Sequence, residues 1–327
     1  MNRFFVKAAV AAVCVMAGFA SCQKDVVEEI SAQEMATLEI SVPVEQTKVV
    51  GGADEAGVDN CQVFLFNDQG VLEAYASKDS KEIPISCTMD SKTVAVLVNA
   101  PAITDIKSLT QLRAKQSLLT HNTAESFVMQ GLVSVNINTT KNVKIEVPVA
   151  RMVAKVELAS VVTSFEIAQY QNAEFKVSSV YLINVAADAK YFSTSAPTLW
   201  YNQRAYVSTD ENALLYDDME GVKVSSSEPY AAKNAFYAYP NPTGADSYSG
   251  SWTPRRTRLV VQATLDGQTY YYPVTLPALE SNKRYEVRLT ITRPGSYNPD
   301  TVVDKFAATV NVTIKDWEET EPVTEEI

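Results

Sequence analysis

Leu38-Glu39-Ile40-Ser41-Val42-Pro43-Val44, near the start of the chain, alternates apolar and polar residues with a period of two. Near the end, Phe306-Ala307-Ala308-Thr309-Val310-Asn311-Val312-Thr313-Ile314 does the same. Successive side chains of a strand point to opposite faces, so each stretch predicts a strand with one apolar side. Between them the pattern recurs at Cys61 to Phe66, Ile83 to Cys87, Val94 to Val98, Leu132 to Ile137 and Val143 to Val149. Beyond Arg151 it continues at Met152 to Val162, Phe175 to Val185, Phe236 to Tyr239, Leu259 to Leu265, Tyr270 to Leu276 and Tyr285 to Thr292. Gly, Asn, Asp or Ser separates most of these runs. Asp266-Gly267 predicts a two-residue hairpin turn. One interruption has helical spacing, Ile103, Ile106, Leu109 and Leu112, ending near Leu118-Leu119, with Thr104-Asp105 as its expected cap.

The fold class that follows is all-β with a minor helix: two antiparallel β-sandwiches in series, divided near residue 166 in the polar stretch Thr163 to Glu174. The 327 residues suit about two domains at roughly 150 residues each. Between Ala186 and Pro254 the alternation loosens and long loops are expected. No period of 20 to 50 residues repeats, which excludes a solenoid or propeller.

A formal net charge of −11 and a single histidine, His121, argue against a nucleic-acid partner and against a His-ligated metal site. Gly51-Gly52 lacks the Lys-Ser/Thr of a phosphate loop, and no G-x-S-x-G elbow occurs. Asp217-Asp218 and Glu220 read as a solvated acidic loop, and Arg255, Arg256 and Arg258 as a solvated approach to the hairpin. Tyr270-Tyr271-Tyr272 is able to stack on sugar, but also suits paving both faces of a strand. No catalytic residues, cofactor or metal site emerge, and the chain reads as a non-enzyme.

The first residues are a basic start at Arg3 and Lys7, an apolar run from Ala8 to Phe19, and Ala20-Ser21-Cys22 before a polar segment. At about 12 residues the run is too short to span a membrane and fits a signal peptide, 1–21. Small residues directly before Cys22 resemble a lipobox, so Cys22 is the expected lipidation site and the chain is expected outside the cytoplasm. Losing Arg3 and Lys7 makes the exported form more acidic still. Cys61 and Cys87 then remain, fitting either a disulfide or two small buried side chains. Directly after the first strand, Thr47-Lys48-Val49-Val50-Gly51-Gly52 offers a trypsin-like cleavage point.

Several pieces in order resemble the FimA-type fimbrillins, shaft subunits of the type V pili of Bacteroidales. They are Ser21-Cys22-Gln23-Lys24-Asp25, Ala36-Thr37-Leu38-Glu39-Ile40-Ser41-Val42 with Lys48 behind it, Ala150-Arg151-Met152-Val153-Ala154-Lys155-Val156, Tyr271-Tyr272-Pro273-Val274, and Arg284 to Gly295 continuing through Asn298-Pro299 to Trp317. The resemblance implies two transthyretin-like sandwiches, 49–166 and 167–327, behind a propeptide, 22–48. It implies a cell-surface fimbrium, an outer-membrane lipoprotein precursor held only through the lipid on Cys22, a surface maturation protease, and identical or accessory pilins as partners. Cleavage between Lys48 and Val49 would remove a placeholder strand, Leu38, Ile40, Val42 and Val44, and open a groove. A neighbour's donor strand, Phe306, Ala308, Val310, Val312 and Ile314, would fill it by β-augmentation. Burying those side chains is worth roughly 8–12 kcal/mol before ordering costs. The best-known fimbrillin is cut after Arg. Here the first Arg past the signal is Arg113, and Lys48 holds the matching place. Two alternatives stand beside the shaft subunit: an accessory anchor or tip pilin, and a monomeric surface lipoprotein that binds glycans.

Overall fold

The computed structural model describes residues 35–44, 55–138, 142–209, 214–231, 234–247, 251–302 and 307–317. Cys22, Lys48, Val49 and Phe306 lie outside these residues. In chain order the strands are β1 (Met35–Ser41), β2 (Cys61–Phe66), β3 (Leu72–Lys78), β4 (Glu82–Thr88), β5 (Asp90–Val98), β6 (Gln116–Leu118), β7 (Met129–Ile137), β8 (Asn142–Glu146), β9 (Ala150–Arg151) and β10 (Ala154–Thr163). They continue with β11 (Phe175–Ile183), β12 (Val185–Ala186), β13 (Asp188–Lys190), β14 (Trp200–Tyr201), β15 (Tyr216–Lys223), β16 (Asn234–Ala238), β17 (Arg258–Leu265), β18 (Gln268–Thr275), β19 (Lys283–Ile291) and β20 (Ala308–Asp316).

Sheet β4-β1-β8 faces sheet β3-β2-β5-β7-β9 across a core of Leu38, Ile40, Val63, Leu65, Ile85, Val94 and Val96. The opposite face of the five-stranded sheet, with Phe64, Phe66, Ala95 and Leu97, joins a second and larger core. That core also fills the space between sheets β16-β10-β19-β20 and β15-β11-β17-β18. Burial on both faces explains why Val63 to Phe66 is a continuous apolar run instead of alternating, and Gln62, buried in the same strand, donates its amide to the Ala100 and Pro101 carbonyls. β17 and β18 form the expected hairpin, and Asp266 and Gly267 both take positive φ, 53° and 80°, as a two-residue turn with the twist of its strands requires.

Three expectations need correction. The division near residue 166 falls behind β10, yet β10 pairs with β16 and β19, so sheet membership changes between β9 and β10. Alternation identifies a strand but not the sheet it joins. The helix is a single element of six residues, α1 (Leu109–Ala114), capped by Ser108 accepting from the Gln111 N–H, and not by Thr104-Asp105. Asp217, Asp218 and Glu220 lie on β15 and not in a loop, with Asp218 and Glu220 exposed along the sheet edge.

Candidate functional site

The first described strand is enclosed on every side. β1 is the middle strand of its sheet, antiparallel to β4 from Met35 opposite Thr88 to Ser41 opposite Glu82, and parallel to β8 from Thr37 opposite Asn142 to Ser41 opposite Glu146. Ala36, Leu38, Ile40, Val42 and Val44 point into the core, and none is more than 8% exposed. Full burial of four large aliphatic side chains is worth roughly 6–12 kcal/mol. Both edges of β1 also carry ladder hydrogen bonds, which would be left unmade on β4 and β8 if it departed. The trough beneath it closes at one end where β7 passes the 147–149 segment. A Cβ on Gly131 would come within 2.4 Å of the Pro148 carbonyl oxygen there, so only glycine permits that approach.

The last strand presents the opposite situation. β20 is the edge of its sheet, paired to β19 alone in unbroken register from Lys283 opposite Asp316 to Ile291 opposite Ala308. Its apolar residues are poorly covered: Val310 is 42% exposed and Ile314 52%, while Ala308 and Val312 are only partly buried. An exposed edge strand of this length is a template for pairing with another chain.

Beyond β20 the chain is anchored. Trp317 is 3% exposed, and its indole Nε1 donates to Glu55 Oε2 at 2.8 Å. The other oxygen of Glu55 accepts from Lys155 Nζ at 2.9 Å and Tyr237 Oη at 2.7 Å, and its backbone carbonyl accepts from Arg151 Nε at 3.1 Å. Arg151 lies 4.8 Å from the centre of the indole, Tyr237 stacks at 5.9 Å and Phe127 meets it edge-on at 5.7 Å. Burial pushes the Glu55 carboxyl up, but the Lys155 charge and the three hydrogen bonds outweigh it and hold the carboxyl below its ordinary value. Trp317 closes the final pattern in the sequence. Glu55 was missed, because a lone acid in a small-residue loop carries no sequence signal of its partners.

The remaining candidates have structural roles. His121 accepts the Leu118 N–H at Nδ1, 3.1 Å, and burial lowers its pKa. Cys61 and Cys87 are both free thiols, buried beneath β1. The expectation of a solvated arginine cluster is overturned. Arg255 and Arg258 are fully buried and both pair with Asp300, and Arg258 also reaches Asp246 at 2.7 Å. Their carboxylate partners are distant in sequence, which is why spacing could not reveal them. Tyr270 and Tyr272 face the core, and Tyr271 faces outward. Among the described residues no group of three or more His, Cys, Asp or Glu could hold a metal ion. No helix among them is long and apolar enough to cross a membrane.

No family model matches the sequence, and no curated protein matches it. Solved structures do. A candidate cell adhesion protein from Bacteroides eggerthii aligns with TM-score 0.64 at 20% identity over 87% of this chain and 96% of its own. A fimbrilin (FimA) from Porphyromonas gingivalis aligns with TM-score 0.62 at 18% identity over 86% and 97%. A C-terminally truncated tip fimbrial protein from the same organism aligns with TM-score 0.52 at 12% identity over 87% and 100%. At such identities the likeness is one of fold, and the chain shares the β-sandwich architecture of these proteins.

Proposed function

We propose that the protein is a structural subunit of a cell-surface fimbria, exported as a lipoprotein through Cys22, matured between Lys48 and Val49, and polymerised by donor-strand exchange. The observation that carries this reading is the contrast between β1 with the residues just after it, wholly enclosed at Ala36, Leu38, Ile40, Val42 and Val44, and β20, whose Val310 and Ile314 stand in solvent. Both stretches offer five inward-capable positions spaced by two, counting Phe306 in the second. A strand of one kind therefore fits the trough of the other. The fimbrilin and adhesion proteins of the same fold support the class, since fimbriae are assemblies of such subunits.

While residue 44 is joined through 45–54 to the rest of the chain, β1 competes from within the same molecule and an incoming strand cannot displace it. Cutting after Lys48 turns that competition into a bimolecular one, and the departed peptide dilutes away. The donor must leave β19 and free Trp317. Its net gain is smaller than full burial of five side chains suggests, because Ala308 and Val312 already touch their own core. A tip subunit would lack a usable donor, so the regular ladder strand at the end favours a shaft position.

The test is limited trypsin digestion of the full-length chain, followed by electron microscopy and unheated gels. Filaments or heat-labile ladders are expected, and truncation after Val303 should abolish them while the sheets around β1 stay folded. A clipped protein that remains monomeric, or ladders that survive the truncation, would exclude donor-strand assembly.

A further inference from the structure

The outer face of sheet β15-β11-β17-β18 carries a small cluster apart from both main cores, in which Tyr181, Ile183 and Val260 are covered by Tyr206, Tyr216 and Tyr271. These tyrosines line a cavity of about 400 Å³, together with Ser178, Ser179, Gln262, Asp218 and Pro299. Tyr206 and Tyr216 stack at 4.3 Å between ring centres, and Tyr181 lies 5.5 Å from Tyr206 and 6.2 Å from Tyr216. Tyr181 is only 3% exposed and lines the cavity. Burial, with Tyr271 and Tyr216 beside it, pushes the Tyr181 phenol up and keeps it a donor at any physiological pH.

The cavity walls are held in place before any ligand arrives. Asn202 Nδ2 donates to the Leu182 carbonyl at 2.8 Å, and Asn184 Oδ1 accepts the Arg204 N–H at 2.9 Å, which fixes the loop carrying Tyr206. On the other side, Tyr271 and Ser296 exchange both backbone hydrogen bonds, 2.8 and 2.9 Å, drawing the 294–301 loop and Pro299 onto the edge of β18. Gly295 allows this, because a Cβ there would come within 2.5 Å of the Tyr271 carbonyl oxygen. The buried pairing of Asp300 with Arg255 and Arg258 locks the same loop. A preformed cavity that joins apolar ring surface to a few converging polar groups is the usual form of a small-ligand site.

We infer that this tyrosine-lined cavity on the outer face of the second sandwich binds one ring of a saccharide. A sugar ring presents apolar C–H faces and hydroxyls around its rim, and the cavity offers phenyl surface beside phenol, serine, amide and carboxylate groups. An anion is disfavoured, since no cationic side chain lines the cavity and Asp218 does. A quaternary ammonium has no hydroxyls to meet the serine, amide and phenol groups of the lining. A polyproline peptide needs open parallel ridges, not polar groups converging inside a pocket. The inference is independent of the assembly reading, because a monomer carries the whole site.

Saturation-transfer NMR on the full-length, uncleaved chain tests it, with methyl glycosides of the common hexoses and N-acetylhexosamines as probes and choline and a proline decamer as counter-probes. The expected result is transfer to the ring protons of at least one glycoside. The affinity should fall about tenfold or more in Tyr206→Ala and about three- to tenfold in the hydroxyl-only variant Tyr181→Phe, whose packing is unchanged. A melting curve on each variant confirms folding. No transfer from any glycoside, binding that survives both substitutions, or binding of choline or the decamer in place of the glycosides would overturn the inference.

Discussion

The indole of Trp317 and the carboxylate of Glu55 meet at 2.8 Å across 262 positions of sequence, fastening the end of the last strand to the segment that leads into β2. Glu55→Gln and Trp317→Phe each remove one partner of a buried hydrogen bond, which costs about 1–3 kcal/mol. Urea unfolding should show losses of that size. Amide exchange should show β20 opening faster while β10 and β17 keep their protection. Uniformly faster exchange would mean the contact supports the whole fold and not the strand.

The same carboxylate gives a pH dependence with a definite sign. Its folded-state pKa lies below the ordinary glutamate value, so the stability it provides is complete above about pH 4.3 and fades as pH falls through the folded-state value. Melting temperatures from pH 7 to 3 should fall in the acid range, and fall less in Glu55→Gln, which has no such proton to gain. Parallel curves for the two proteins would assign the acid sensitivity to other depressed carboxyls, such as Glu286, Glu73 and Asp246.

Lys48→Gln should leave the precursor intact by mass under limited trypsin and prevent ladders, with thermal stability unchanged. Assembly with the N-terminus still present would refute cleavage at that bond as the trigger.

The two buried thiols report on the trough. Burial pushes the Cys61 thiol up to about 11, and burial with Glu73 nearby raises Cys87, offset in part by Lys92. Cys87 sits opposite Ala36 on β1. Iodoacetamide at pH 8 should leave both unmodified in the precursor and label them once β1 is removed and no donor is supplied. Equal labelling before and after cleavage would show that loss of β1 does not expose this core.

Much of the architecture was legible because burial on one face writes itself as alternation. Leu38 to Val44, the Asp266-Gly267 turn and the final strand all follow from that rule. The misreadings share a cause. Ile103 to Leu119 has helical spacing because Ile103, Ile106, Leu112 and Leu119 pack into one core from a mostly irregular segment. Arg255 and Arg258 look solvated until Asp300 and Asp246 arrive from elsewhere in the chain. Tyr271 was visible, but Tyr181, Tyr206 and Tyr216 are gathered round it only by the folding of distant segments.

β1 lies antiparallel to one neighbour and parallel to the other, and these two ladders have different hydrogen-bond spacings. A replacement running the same way as β1 would rebuild both ladders as they stand, and it would come from the end of one subunit into the start of the next. Successive subunits joined this way must all point alike, in a head-to-tail series that never closes on itself. Such a filament has two chemically different ends, one with an unfilled trough and one with an unspent strand. Growth and termination are then separate events, and a single copy missing either feature is enough to stop the series at the corresponding end.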